Sequence, residues 1–237
     1  MDARASARAS CLLRPSMSFR LPSGVHHCMV ESRSIFLDLA RDRYFALPAD
    51  LEAAFRQAVE SPCDSTISPD EVERLIRAGV LEAADEGQMP AHPVPIVAPT
   101  ADRVSVAYRS KASLMLMVQV VLAQLMASLM VRIVPMGVIA RHLERLNSGE
   151  GHDDDVMAAD RLAAAFRRAS VLIRVEGNCL PRTLAFVWLA RRRRCNANLV
   201  IGVRINPFSA HCWAQAGDVV LNDRLDRANL FKPILHI

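Results

Sequence analysis

Three side chains near the C-terminal end of the chain have types and surroundings that suit nucleophilic chemistry. Cys179 opens "CLPRTLAFVWLARRRRC", an apolar run that closes on arginines and reads as a helix. A thiol at a helix N-terminus is favoured as the thiolate, because the unpaired N–H groups and the helix dipole place positive charge there. His211 lies in the alternating run "SAHCWAQ", and Asp223 closes "DVVLND". An imidazole beside the sulfur takes the thiol proton or holds an ion pair with it. A carboxylate behind the imidazole sets which ring nitrogen faces the sulfur. The chemistry of such a set is acyl transfer from an amide: attack, thioester, then release to water or to an amine.

The elements that must hold these groups can be read around them. "NLVIGVRI", "SAHCWAQ" and "DVVLND" have the composition and alternation of β-strands. With Ala216-Gly217-Asp218 as a three-residue hairpin loop, Gln215 pairs with Val219 and His211 falls opposite Asp223. Cross-strand partners have Cβ atoms about 4.5–5.5 Å apart, so register alone would set the imidazole beside the carboxylate. Cys195 ends the helix, and alternation turns Cys212 to the sheet face opposite His211, which leaves Cys179 as the expected nucleophile. The run Arg191 to Arg194 reads as a solvated helix end flanking the last carbonyls.

The front half has a different pattern. "VHHCMVE", "SIFLDLA" and, after the polar turn Arg41-Asp42, "RYFALP" read as three strands. "ADLEAAFRQAVE" repeats Leu51, Phe55 and Val59 at helical spacing. "SPDEVERLIRAGVLE" carries Ser68 as N-cap, Pro69 at the first helical position, Glu71 three residues after the cap and Gly79 as the stop. The expected class is α+β, with a small winged-helix-like module over residues 17–85. Gly87 and four prolines mark residues 86–105 as a linker, and residues 106–237 form the second domain. Charge supports the division: residues 17–85 carry 7 basic and 12 acidic side chains, residues 106–237 carry 18 and 10. The Arg/Ala/Ser-rich residues 1–16 read as a disordered tail or as sequence ahead of a start at Met17.

Near the start of the second domain lies "LMLMVQVVLAQLMASLMV", residues 114–131, eighteen residues without a charge. Its length suits a membrane span. Gln119, Gln124 and Ser128, the nearby Arg132 and Pro135, and the many methionines favour a buried helix of a soluble domain instead. "GHDDDVMAADRLAAAFRRASVLI" reads as a helix with Asp153 to Asp155 at its positive end. His152 and those aspartates point in different directions on a helix, so no metal is expected. The six cysteines show no C-x-x-C pair and no Cys/His zinc spacing, which suits reduced thiols in a cytoplasm. A net charge of +4 without interleaved aromatics gives no nucleic-acid footprint.

The strings "NCLPRTLA", "LVIGVRINPFSAHCWAQ" and "VVLND" closely resemble the B proteins of lasso-peptide biosynthesis, over about residues 106–237. The resemblance implies a transglutaminase-like, papain-like fold with Cys179 as nucleophile, His211 as base and Asp223 as its orienting partner. Cys212 stands where that family commonly has a small residue. Residues 17–85 look like the leader-recognition domain, similar to the pyrroloquinoline-quinone chaperone, that precedes the protease domain in single-chain members. Such domains add an extended leader as a strand to a sheet edge. Here the edge would be Arg43 to Leu47, with Arg43, Tyr44, Phe45 and Leu47 as leader-binding residues and "EVERLIRAGV" as the other wall. The implied activity is a cysteine peptidase that removes the leader of a lasso-peptide precursor and frees the α-amine for a separate asparagine-synthetase-like cyclase. A transglutaminase-like acyl transferase and a catalytically silent leader-binding adaptor stay open beside it. The expected partners are the precursor, the cyclase and a membrane exporter. No intrinsic cofactor is expected, and ATP is associated with cleavage together with the cyclase; neither Lys111 nor Lys232 follows a glycine as a phosphate loop requires.

Overall fold

A computed structural model describes residues 18–60, 67–84, 96–104, 112–146, 156–170 and 179–237. Three strands, β2 (Val25–Val30), β3 (Arg33–Asp38) and β4 (Arg43–Ala46), form an antiparallel meander in the order β2-β3-β4. Asp38 sets the second turn by accepting from the main-chain N–H groups of Ala40 and Arg41. Two helices follow, α1 (Ala49–Glu60) and α2 (Pro69–Ala78), and a short ribbon pairs β1 (Ser18–Arg20) with β5 (Glu82–Ala84). The capping signals of α2 are realised as read: Ser68 and Glu71 form the reciprocal box, and Gly79 closes the helix in the left-handed region at φ 74. Strands come first and helices after, an arrangement that does not by itself establish a winged-helix likeness.

The meander buries both faces, and this joins the two halves of the molecule. Phe36 and the half-buried Phe45 face a core with Leu51, Phe55 and Leu75 from α1 and α2. Cys28, Ile35 and Leu37 face the other way, into the large core of the second half. Period-two alternation in the sequence therefore separates two apolar sets, not an apolar set from a polar one.

The second half is a five-stranded sheet in the order β10-β7-β8-β9-β6, where β6 is Ala101–Asp102, β7 Asn198–Arg204, β8 Ser209–Ala216, β9 Val219–Val220 and β10 Lys232–His236. All pairs are antiparallel except β6 with β9. Part of the proline-rich segment read as a linker thus supplies a strand of this sheet. Over the sheet lie α3 (Leu114–Ile133), α4 (Met136–Leu146), α5 (Val156–Ala169) and α6 (Cys179–Arg191), with the single turn α7 (Leu225–Ala228) before β10. Helix α6 is apolar nearly all round because it is central: Leu184, Phe186, Val187 and Ala190 are all buried. Arg191, its last residue, donates to the carbonyl of Ala197 and to that of Leu143 in the last turn of α4, so the first of the four arginines is tied into the fold. Helix α3 is not buried on most of its faces. It packs through Val120, Ala123, Gln124 and Ala127 and leaves the opposite side exposed.

Gly202 of β7 pairs with His211 of β8, and its missing side chain is required. A Cβ there would lie 2.8 Å from Cβ of Phe231 and 2.9 Å from the ring of Trp213. Gly202→Ala is expected to lower stability by about 1–3 kcal/mol, the usual range for overpacking. A urea titration would show this as a reduced midpoint at unchanged slope; an unchanged midpoint would mean that Phe231 and Trp213 yield freely.

Candidate active site

Cys179 is the first residue of α6, and Pro181 sits in the same turn, where a missing N–H removes no helical bond. His211 comes from β8, 5% exposed, beside the rings of Phe231 at 5.1 Å and Trp213 at 6.3 Å. Its Nε2 lies 2.5 Å from Oδ2 of Asp223. With Nε2 committed to the carboxylate, Nδ1 is the ring nitrogen left for the sulfur, and Cys179 is hydrogen-bonded to this histidine. The three residues singled out from sequence are therefore in one place.

They meet by a different route from the expected one. The hairpin loop has two residues, Gly217 and Asp218, with Gly217 at φ 55, so Gln215 pairs with Val220 and Ala216 with Val219. A glycine tolerates that left-handed angle, and the shorter loop shifts the register by one. Strand β9 then ends after two residues, well short of the level of His211. Its ladder is closed by a side chain: Leu221 N–H donates to the Ala214 carbonyl, and Ala214 N–H donates to Oδ1 of Asn222 at 2.7 Å. Nδ2 of Asn222 donates to Oγ1 of Thr183 on α6, which donates to the Cys212 carbonyl. The main chain is thereby turned out of the sheet just where Asp223 follows. Asn222 and Thr183 were both inside the quoted strings without an assigned role.

Cys212 is also closer to the chemistry than strand alternation suggests. Its thiol and its main-chain N–H both favour the charged form of Cys179. Alternation holds along β8, yet His211 and Cys212 both act on the sulfur. The thiol of Cys179 is held down to about 4, first by the Cys212 thiol, against burial, and then by the hydrogen bond and charge of His211. A thiol is a weak donor, so the charge on His211 is the stronger hold. Burial works to lower His211, yet Asp223 and Cys179 raise it above its ordinary value. Asp223 is lowered despite burial, chiefly by His211, and Cys212 is pushed far up and stays a thiol. These shifts favour a thiolate beside an imidazolium, with Asp223 as counter-charge.

The expected leader-binding residues divide. Arg43 is exposed, 3.8 Å from Asp38, with its guanidinium over the ring of Phe45. Phe45 stacks on Phe36 at 5.2 Å and is half-buried. Leu47 follows the strand and is a core residue at 3% exposure, so its side chain is not available to a peptide. Tyr44 faces the other way: its ring meets Phe208, and burial first, with the charges of Asp42 and Cys179, pushes its hydroxyl up. Strand β4 thus has an outer edge without a strand partner among the described residues and one side chain within the field of Cys179. His152 and Asp153 to Asp155 lie outside the described residues. Among the described ones, no cluster of His, Cys, Asp or Glu could hold a metal ion.

A helix-borne thiol, a strand-borne imidazole and a carboxylate from the next segment are brought together on an α+β scaffold, an arrangement whose chemistry suits acyl transfer. Residues 121–236 match the family model of the transglutaminase-like superfamily, and this part of the chain is a transglutaminase-like domain. The chain is also similar to the microcin J25-processing protein McjB of Escherichia coli, with 40% identity over 48 residues, 20% of this chain and 23% of the relative. The match therefore spans about a quarter of that relative's length. No solved structure matches the chain.

The ionisation is open to direct measurement. Alkylation of Cys179 by iodoacetamide, followed by peptide mapping, is expected to keep its rate down to a midpoint near pH 4. His211→Ala should move the midpoint up by about one unit or more, and Cys212→Ala by less. A midpoint near that of an ordinary thiol, or a larger effect of Cys212→Ala, would contradict the assignment of the main hold to His211.

Proposed function

We propose that this protein is a cysteine peptidase that removes the leader of a lasso-peptide precursor. The observation that carries the reading is the Cys179–His211–Asp223 constellation within a transglutaminase-like domain. The similarity to a microcin-processing protein supports the substrate class.

The geometry suits each step of amide hydrolysis. The Cys179 thiolate attacks the scissile carbonyl, and the Cys179 main-chain N–H, at the start of α6, is available to the oxyanion. The proton on His211 Nδ1 passes to the departing amine, which leaves as the freed core α-amine. Nδ1 then takes a proton from water as it attacks the thioester, and the leader carboxylate departs with the thiolate restored. Asp223 keeps Nε2 as the donor on its side throughout, so Nδ1 is the nitrogen that cycles.

Leader recognition falls to the free edge of β4, where main-chain bonds supply affinity. Arg43 and Phe45 are the side chains there that an added strand would meet, and Tyr44 links the same strand to the site. The setting is the cytoplasm, the partners are the precursor, an asparagine-synthetase-like cyclase and an exporter, and ATP enters with the cyclase.

The test is mass spectrometry of a lasso-type precursor incubated with ATP, cyclase and either the native protein or its Cys179→Ala variant. Leader loss is expected with the native protein alone, at least about 10³-fold faster than with the variant. Equal cleavage by both would reject the cysteine mechanism. Incorporation of an added amine at the cleavage point, in place of a free carboxylate, would move the reaction to acyl transfer.

A further inference from the structure

Helix α3 carries its larger apolar side chains on the outside. Its packed face is Val120, Ala123, Gln124 and Ala127, whereas Leu122, Leu125, Met126 and Leu129 are each more than half exposed. Leu114, Met115, Val118 and Ile133 extend the exposed set to both ends, with Leu114 at 77% and Met115 at 72%. At 100° per residue these eight fall within a sector of about 120°, along a helix about 30 Å long. A soluble helix with nothing against it turns its polar side chains outward, and here a glutamine faces in while the leucines face out. Contiguous apolar surface of this kind marks a contact.

Charge decides what covers it. Among the described residues, 112–146, 156–170 and 179–194 carry eleven arginines against Glu144 and Asp160 alone. Arg132 stands at one end of the exposed face, and at the other Met115 borders a depression that Arg161 and Arg193 also line. Two copies meeting through this face would bring two such basic layers together, which opposes an isologous dimer. A surface that is apolar within and anionic at its rim complements it on both counts. The stretch also has the length and a mean hydropathy of 2.2 to enter lipid, while its packing on α5 and α6 keeps it part of the domain. We propose that the exposed face of α3 is a peripheral membrane-docking surface that lies along an anionic bilayer, with its leucines and methionines in the acyl boundary and the arginines at the headgroups. This inference does not depend on the peptidase reading.

Vesicle flotation with the purified full chain tests it, using phosphatidylcholine vesicles with and without phosphatidylglycerol. Binding is expected to the anionic vesicles, at least about tenfold weaker to the neutral ones, and released by an alkaline carbonate wash, as befits an interfacial helix. Leu125→Glu and Leu129→Glu should each reduce binding about tenfold or more, with circular dichroism showing that the fold is retained. Ile76→Glu, at an exposed site on α2, should leave binding unchanged. No binding to either vesicle, binding indifferent to both leucine variants, or resistance to carbonate would overturn the proposal. So would a dimer in solution that Leu125→Glu dissolves, which would assign the face to a second copy.

Discussion

The carboxamide of Asn222 is the contact on which the site depends. It stands in for a main-chain carbonyl at the end of the β8–β9 ladder and, through Thr183, ties that end to α6. One side chain thus ends a strand, fixes the distance between helix and sheet, and turns the chain so that Asp223 meets His211. Each of the atoms involved is buried, so an unmet partner would carry the full desolvation cost of a polar group, about 1–3 kcal/mol. That penalty makes the bridge a geometric constraint: α6 cannot slide along the sheet without breaking it, and Cys179 rides on α6.

The electrostatics follow from the same arrangement. Cys179, His211 and Asp223 are all partly withdrawn from water, which by itself would neutralise each of them. They keep their charges because each is the neighbour that the next requires. Thiol and carboxylate both act on one imidazole, and the Trp213 and Phe231 rings pack beside it. Cys212 adds a thiol and an N–H to the sulfur without ionising itself. The meander reaches this centre through Tyr44, so edge strand β4 and Cys179 are parts of one packed body.

What could be read from the sequence was what local chemistry decides. The capping box of α2, the extents of α1 and the meander strands, and the helix that begins at Cys179 follow from caps, periodicity and composition. The three site residues were legible by type and order. Their route into contact was not, because the loop length that sets the register rests on one glycine angle, and a one-residue change displaces every pair beyond it. Cys212 was missed for a related reason: alternation assigns faces of a strand, but not where a helix end lies relative to them. Leu47 looked like part of an edge strand and is core because the chain bends into α1 two residues later. For α3, composition reveals a helix and its apolarity, whereas which side faces the domain depends on small residues that allow close approach to α6.

The central claim is that a buried imidazolium is held between Cys179 and Asp223. Its most direct test is the NMR titration of the His211 ring in the native protein, in Cys179→Ala and in Asp223→Asn. The midpoint is expected above the ordinary 6.5 in the native protein and lower in both variants, with Nε2 protonated throughout the native titration. A native midpoint at or below 6.5, or one that neither variant moves, would contradict that claim.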